Sequence, residues 1–82
     1  MAGSSYNTAP AKAARAVTPH DTNVLTGGVC RSLYVGGTGN IAVRMADGGS
    51  VTFTAVPVGI LPIQCDIVKS TDTTATSIVA LY

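Results

Sequence analysis

The sequence holds no glutamate and no tryptophan, and charged residues make up only 11% of it. An average soluble domain carries roughly 25%. The formal net charge is +1, and the cations Lys12, Arg15, Arg31, Arg44 and Lys69 are scattered. Phosphate binding needs clustered Lys and Arg, so nucleic acid is not an expected partner. No segment approaches the ~18 consecutive apolar residues of a membrane span, and no membrane partner is expected. The first residues lack a basic region followed by an apolar run, which points to synthesis in the cytoplasm.

Catalytic material is equally scarce. The single histidine, His20, lies between Pro19 and Asp21 in turn-forming sequence. Adjacent His and Asp side chains rarely converge on one reactant, so a surface histidine is expected. The carboxylates are limited to Asp21, Asp47, Asp66 and Asp72, mostly in turns. Asp66, in mid-strand, is read as an exposed residue paired with a lysine or arginine. No serine stands in a Gly-x-Ser-x-Gly elbow. The run Gly36-Gly37-Thr38-Gly39-Asn40 lacks the Gly-Lys-Ser/Thr ending of a phosphate loop and precedes a strand, so a hairpin turn is the expectation. Enzyme activity is not expected, nor is any cofactor.

Cys30 and Cys65 permit one bridge at most. In a reducing cytoplasm they are better read as small apolar fillers. One His and two separated Cys are too few for a structural zinc site, and no metal is expected. An 82-residue chain buries a thin core and often needs disulfides, metal or partner subunits to complete it. Partner subunits remain.

What the sequence has is apolar residues, 46% of the total, with Gly-rich punctuation between them. The stretch Met1 to Ala11 has no period and reads as a flexible arm, with residues 12–82 as one β-sandwich domain. Ala11 to Val17 fits either a helical turn or an extended edge strand, stopped by Pro19. Thr18 to Gly28 is turn chemistry, with Val24 and Leu25 expected to pin it to the body.

From Val29 onward, strands are expected at Val29–Val35, Asn40–Met45, Ser50–Val56, Ile60–Val68 and Thr76–Tyr82. Asp47-Gly48-Gly49 marks a hairpin. Alternation places Ile41, Val43 and Met45 on one face and Ala42 and Arg44 on the other. It likewise places Val51, Phe53 and Ala55 inward, and sets Leu61, Ile63, Cys65 and Ile67 opposite Gln64, Asp66 and Val68. Pro57 and Gly59 break the pairing, and Ser70–Thr74 is a polar turn. The expected fold is all-β: a small antiparallel sandwich or barrel, jelly-roll-like and oligomeric. The Val29–Val35 strand is apolar on both faces, with Val29, Leu33 and Val35 against Cys30 and Tyr34. A lone thin sandwich would carry polar residues on its outer face. Edge strands also need cover, and there is little charge to defend them.

Several strings in this order resemble a known family. Cys30 is followed by Arg-Ser-Leu-Tyr-Val-Gly, then a Gly39-Asn40-Ile41 strand, then Val51-Thr-Phe. Val56-Pro-Val-Gly-Ile-Leu-Pro-Ile follows, and the chain closes on Thr73-Thr-Ala-Thr-Ser-Ile-Val-Ala-Leu-Tyr82. The pattern resembles the small head spike base proteins of tailed phages and of gene transfer agents, which are phage-derived particles. It departs at Ser32, where Ala is usual, and at Gln64-Cys65, where a basic residue is common.

The resemblance implies a virion structural subunit at the base of a head spike or fibre. It implies synthesis in a bacterium and a final place on the particle head. The implied partners are further copies of the chain, as a pentamer or trimer, the capsid protein, and a spike or fibre protein. It assigns Pro57 and Gly59 to a strand corner, Leu61 and Ile63 to the core, and Ile78–Tyr82 to a sheet or subunit contact. The expected contact residues are Tyr6, Pro10, Tyr34, Ile78, Leu81 and Tyr82. Two other readings stand beside this one. A capsid decoration protein would cement neighbouring capsomers, and a small carbohydrate or receptor binder would cluster aromatics around Tyr34 or Tyr82.

Overall fold

The computed structural model describes residues 10–82. Tyr6, and with it most of the expected arm, lies outside them. Among the described residues, seven strands form two antiparallel sheets: β1 (Ala14–Ala16), β2 (Ser32–Gly37), β3 (Gly39–Met45), β4 (Ser50–Val56), β5 (Gly59–Leu61), β6 (Cys65–Val68) and β7 (Thr76–Leu81). The four-stranded sheet has the order β1-β7-β2-β5, and the three-stranded sheet the order β4-β3-β6. Leu33, Val35, Ile78 and Ala80 from the first meet Ile41, Val43, Cys65 and Val68 from the second in a shared core. This is the small all-β fold the strand spacing implies.

The chain repeatedly changes sheet, and the corners explain where simple alternation fails. Gly36 to Gly39 is not a hairpin turn, because β2 and β3 belong to different sheets. The glycines let the crossing chain come close to its neighbours. A Cβ on Gly39 would lie 2.6 Å from the backbone nitrogen of Ala75, and one on Gly36 would lie 2.7 Å from Cβ of Ser77. A tight hairpin joins β3 to β4, where Gly48 N donates to Met45 O and Met45 N to Gly49 O.

The expected strand Ile60–Val68 is two strands. β5 pairs with β2 in one sheet, β6 with β3 in the other, and Pro62 lies between them. Proline offers no N–H to a ladder, so it suits a corner. Leu61 and Ile63 pack against the core while Ile67 and Val68 are both buried, so one alternating face does not run through the segment.

A second correction concerns β4. Ile41 pairs with Phe53 and Gly39 with Val56, so β4 holds one residue more than β3 over that span. Such a bulge reverses the side-chain sense beyond it. Ala55 takes φ of 55° with its N–H donating to Oδ1 of Asn40, and Val56, not Ala55, turns into the core. Val51 remains exposed and Phe53 only half-buried, as suits an outermost strand.

The strand expected from Val29 begins at Ser32. Cys30 N donates to Cys65 O, whereas Arg31 N donates to Leu81 O. The backbone thus changes partner from β6 to β7 between adjacent residues, and alternation restarts there. Val29 is left exposed and Cys30 buried. Ala42 is also buried, although alternation put it opposite Ile41. The chain after β6 lies along β3 at that point, with Lys69 N donating to Ala42 O and Ala42 N to Oγ1 of Thr73.

The alanine-rich segment is an edge strand and no helical turn. Lys12 N donates to Tyr82 O, and Val17 N to Ile78 O, extending the β1–β7 ladder at both ends. The following loop protects another edge. His20 N donates to Val68 O and Leu25 N to Asp66 O, capping the free side of β6. Leu25 packs on the core as expected, but Val24 points to solvent.

Candidate assembly surface

Directly paired residues in antiparallel strands share a face. The registers Ala16↔Val79, Tyr34↔Val79 and Tyr34↔Ile60 therefore set one row across all four strands of the larger sheet. The adjoining row on the same side runs through Ala14, Leu81 and Ser32. This is the outer face, since Leu33, Val35, Ile78 and Ala80 point the other way into the core. Tyr34 keeps 40% of its surface exposed and Ile60 58%, and no charged side chain stands in either row.

The residues singled out from the sequence fall in different places. Tyr34 and Leu81 lie on this outer face, Leu81 half-buried. Pro10 is exposed. Ile78 is 4% exposed and belongs to the core, where it has no surface to offer a partner. Tyr82 packs against the core from the inner side, with its hydroxyl donating to Gly28 O at 3.2 Å. Its ring occupies the space where a Gly27 Cβ would stand, at 2.5 Å. Tyr34 and Tyr82 thus lie on opposite faces of one sheet and form no aromatic platform. Ile60 was missed as a surface residue, because reading Ile60–Val68 as one strand hid its position opposite Tyr34.

The polar groups serve the frame. Arg44 and Asp66 form a two-point ion pair on the outer face of the smaller sheet, with Nε to Oδ1 at 3.0 Å and Nη2 to Oδ2 at 2.6 Å. The guanidinium's hydrogen bonds hold the Asp66 carboxyl below its usual range and the arginine above its own. The expected pairing of Asp66 with a cation is present. Asp21 accepts from the N–H and hydroxyl of Thr71 and from the Ser70 hydroxyl, tying the loop before β2 to the turn after β6. Those bonds, Thr71 N–H foremost, lower its pKa. Nδ1 of His20 accepts from the N–H groups of Thr22 and Asn23, a local turn contact. Among the described residues, no three His, Cys, Asp or Glu side chains gather as a metal site.

The structure is thus a two-sheet β fold whose polar side chains brace its frame and whose larger sheet carries two uncharged rows on its outer face. Among solved structures the chain is similar to one described as "Capsid of native GTA particle computed with C5 symmetry", GTA being gene transfer agent. The likeness has a TM-score of 0.81 and 32% identity, covering 93% of this chain and 88% of that one. The chain belongs to the family of that capsid chain, the structural proteins of phage-like gene transfer agent particles. No protein-family model and no curated protein matches the sequence.

Proposed function

We propose that the chain is a subunit of an oligomeric head spike or fibre base, seated on the capsid and joining it to the spike or fibre above. Its work is structural and not catalytic. The observation that carries the reading is the uncharged row Ala16, Val79, Tyr34 and Ile60 on the outer face of the larger sheet. A β-sheet that faces water on one side normally alternates apolar and polar residues. Exposed apolar patches rimmed by polar residues mark interaction sites.

The relative's capsid was computed with five-fold symmetry, which is compatible with a five-fold cluster of this chain at a capsid axis. The resemblance of the strings from Cys30 to Tyr82, described above, supports the spike base, and a decoration protein that cements neighbouring capsomers shares the same sequence features. Native mass spectrometry of the purified protein tests the reading. A discrete pentamer or trimer at micromolar concentration is the expected result. A monomer as the sole species contradicts it.

A further inference from the structure

The core holds two thiols for which the assembly reading has no use. Cys30 and Cys65 are both free, both buried, and their sulfurs stand 3.6 Å apart. The backbones are already joined, Cys30 N donating to Cys65 O at 3.0 Å. Two residues linked in this way have α-carbons within the span a disulfide bridges, roughly 4.4–6.8 Å. A disulfide needs its sulfurs at about 2.05 Å, so a closure of about 1.5 Å by side-chain rotation suffices. Two buried thiols serving only as fillers would not need to meet.

We propose that Cys30 and Cys65 are a cross-linking site, closing to an intramolecular disulfide when the folded protein meets a small-molecule disulfide outside a reducing cytoplasm. The bond would tie the segment before β2 to the start of β6, linking the two sheets where the chain changes partner.

Both residues are buried, so the oxidant reaches a sulfur in a transient opening, and the hollow beside Cys30 sets the order. Cys30 borders a surface hollow lined by Val29, Arg31, Gln64 and Tyr82, and Cys65 does not reach it. The Cys30 thiolate attacks one sulfur of the oxidant RSSR, forming a mixed disulfide and releasing RS⁻. The Cys65 thiolate then attacks the Cys30 sulfur and expels the second RS⁻. The two thiol protons pass to the released thiolates. Two cysteines are oxidised, and one RSSR becomes two RSH.

The thiols share one hydrogen bond in which either sulfur can donate, and the sulfur that accepts is the one favoured as thiolate.

The test uses the full chain incubated with oxidised glutathione, then alkylated in denaturant and digested. The expected outcome is loss of both alkylatable thiols and a Cys30–Cys65 linked peptide from a band that runs as a single chain without reductant. The oxidised protein should melt about 10 °C or more above the reduced form, the gain expected for closing a loop of this length in a small domain. Cys65→Ser should stop at one glutathione on Cys30, while Cys30→Ser should take up none. Two thiols that stay alkylatable, a bond that joins separate chains, or an oxidised form that melts lower would overturn the proposal. Modification of Cys65 in the Cys30→Ser variant would overturn the order of attack.

Discussion

The outer face of the four-stranded sheet presents Ala16, Val79, Tyr34 and Ile60 in one row, while that of the three-stranded sheet presents the Arg44–Asp66 ion pair, Thr52, and Ser50 bound by Lys69. The inner faces are alike, both supplying aliphatic side chains to one core. A chain with so few charges has placed them unevenly. Water is a good neighbour for the smaller sheet and a poor one for the larger. The contrast shows that scarcity of charge is informative only once the fold says where the charges are.

Reversing the contrast by mutation should produce the largest effect. Tyr34→Lys combined with Ile60→Lys puts two cations into a contact with no counter-charge. Burying an unpaired charge costs about 3–5 kcal/mol, so self-association should weaken by more than about 100-fold. The isolated chain should keep its β circular dichroism, because both side chains are already exposed. Thr52→Lys on the smaller sheet is the matched control and should leave the oligomer intact by analytical ultracentrifugation. Equal loss in both variants would erase the distinction between the faces.

The core is common to both sheets, and a change there should not discriminate between them. Leu33 is fully buried among residues of both layers. Leu33→Ala should lower unfolding stability by about 3 kcal/mol, read from urea denaturation. A loss below about 1 kcal/mol would mean that the layers pack loosely.

Acid should act on the smaller sheet and its loops. Asp66 and Asp21 have native pKa values below the unfolded one, so both bind protons less readily when folded. Their contribution is therefore complete above the unfolded carboxylate range, about pH 4, and is lost as pH falls through the depressed native values. Asp66→Asn should flatten the fall in melting temperature below pH 4 while leaving the outer face of the larger sheet unaffected. An unchanged acid profile would remove the ion pair from the account.

The smallest effect concerns the bulge. Ala55 sits at φ of 55°, where an L-residue is strained by roughly 1 kcal/mol. Ala55→Gly relieves the strain but loosens the unfolded chain, for a net gain of about 0.5 kcal/mol by thermal melting. Gly in an ordinary strand destabilises, so a loss of about 1 kcal/mol would show that no bulge is present.

Strand positions could be read where polar turns separate apolar runs, as at Asp47-Gly48-Gly49 between β3 and β4. They were illegible where the chain crosses between sheets, because Gly, Pro and apolar residues mark a corner and a hairpin alike. Gly36–Gly39 and Pro62 are such corners. Alternation also failed at Ala55, since a bulge with no glycine in it leaves no trace in composition. The surface row was half visible. Tyr34 stood out as an apolar residue opposite Leu33 and Val35, but its neighbour Ile60 emerged only with the β2–β5 register. The resemblance assigned the whole stretch Ile78–Tyr82 to a sheet or subunit contact, and only the register shows which of its residues face inward.

Cryo-electron microscopy of the intact particle, at a resolution that traces this chain, tests the central claim most directly. The account predicts that Tyr34 and Ile60 lie beneath a neighbouring chain while Arg44 and Asp66 stay open to solvent. Density showing the larger sheet's outer face bare, with contacts made through the smaller sheet instead, would contradict it.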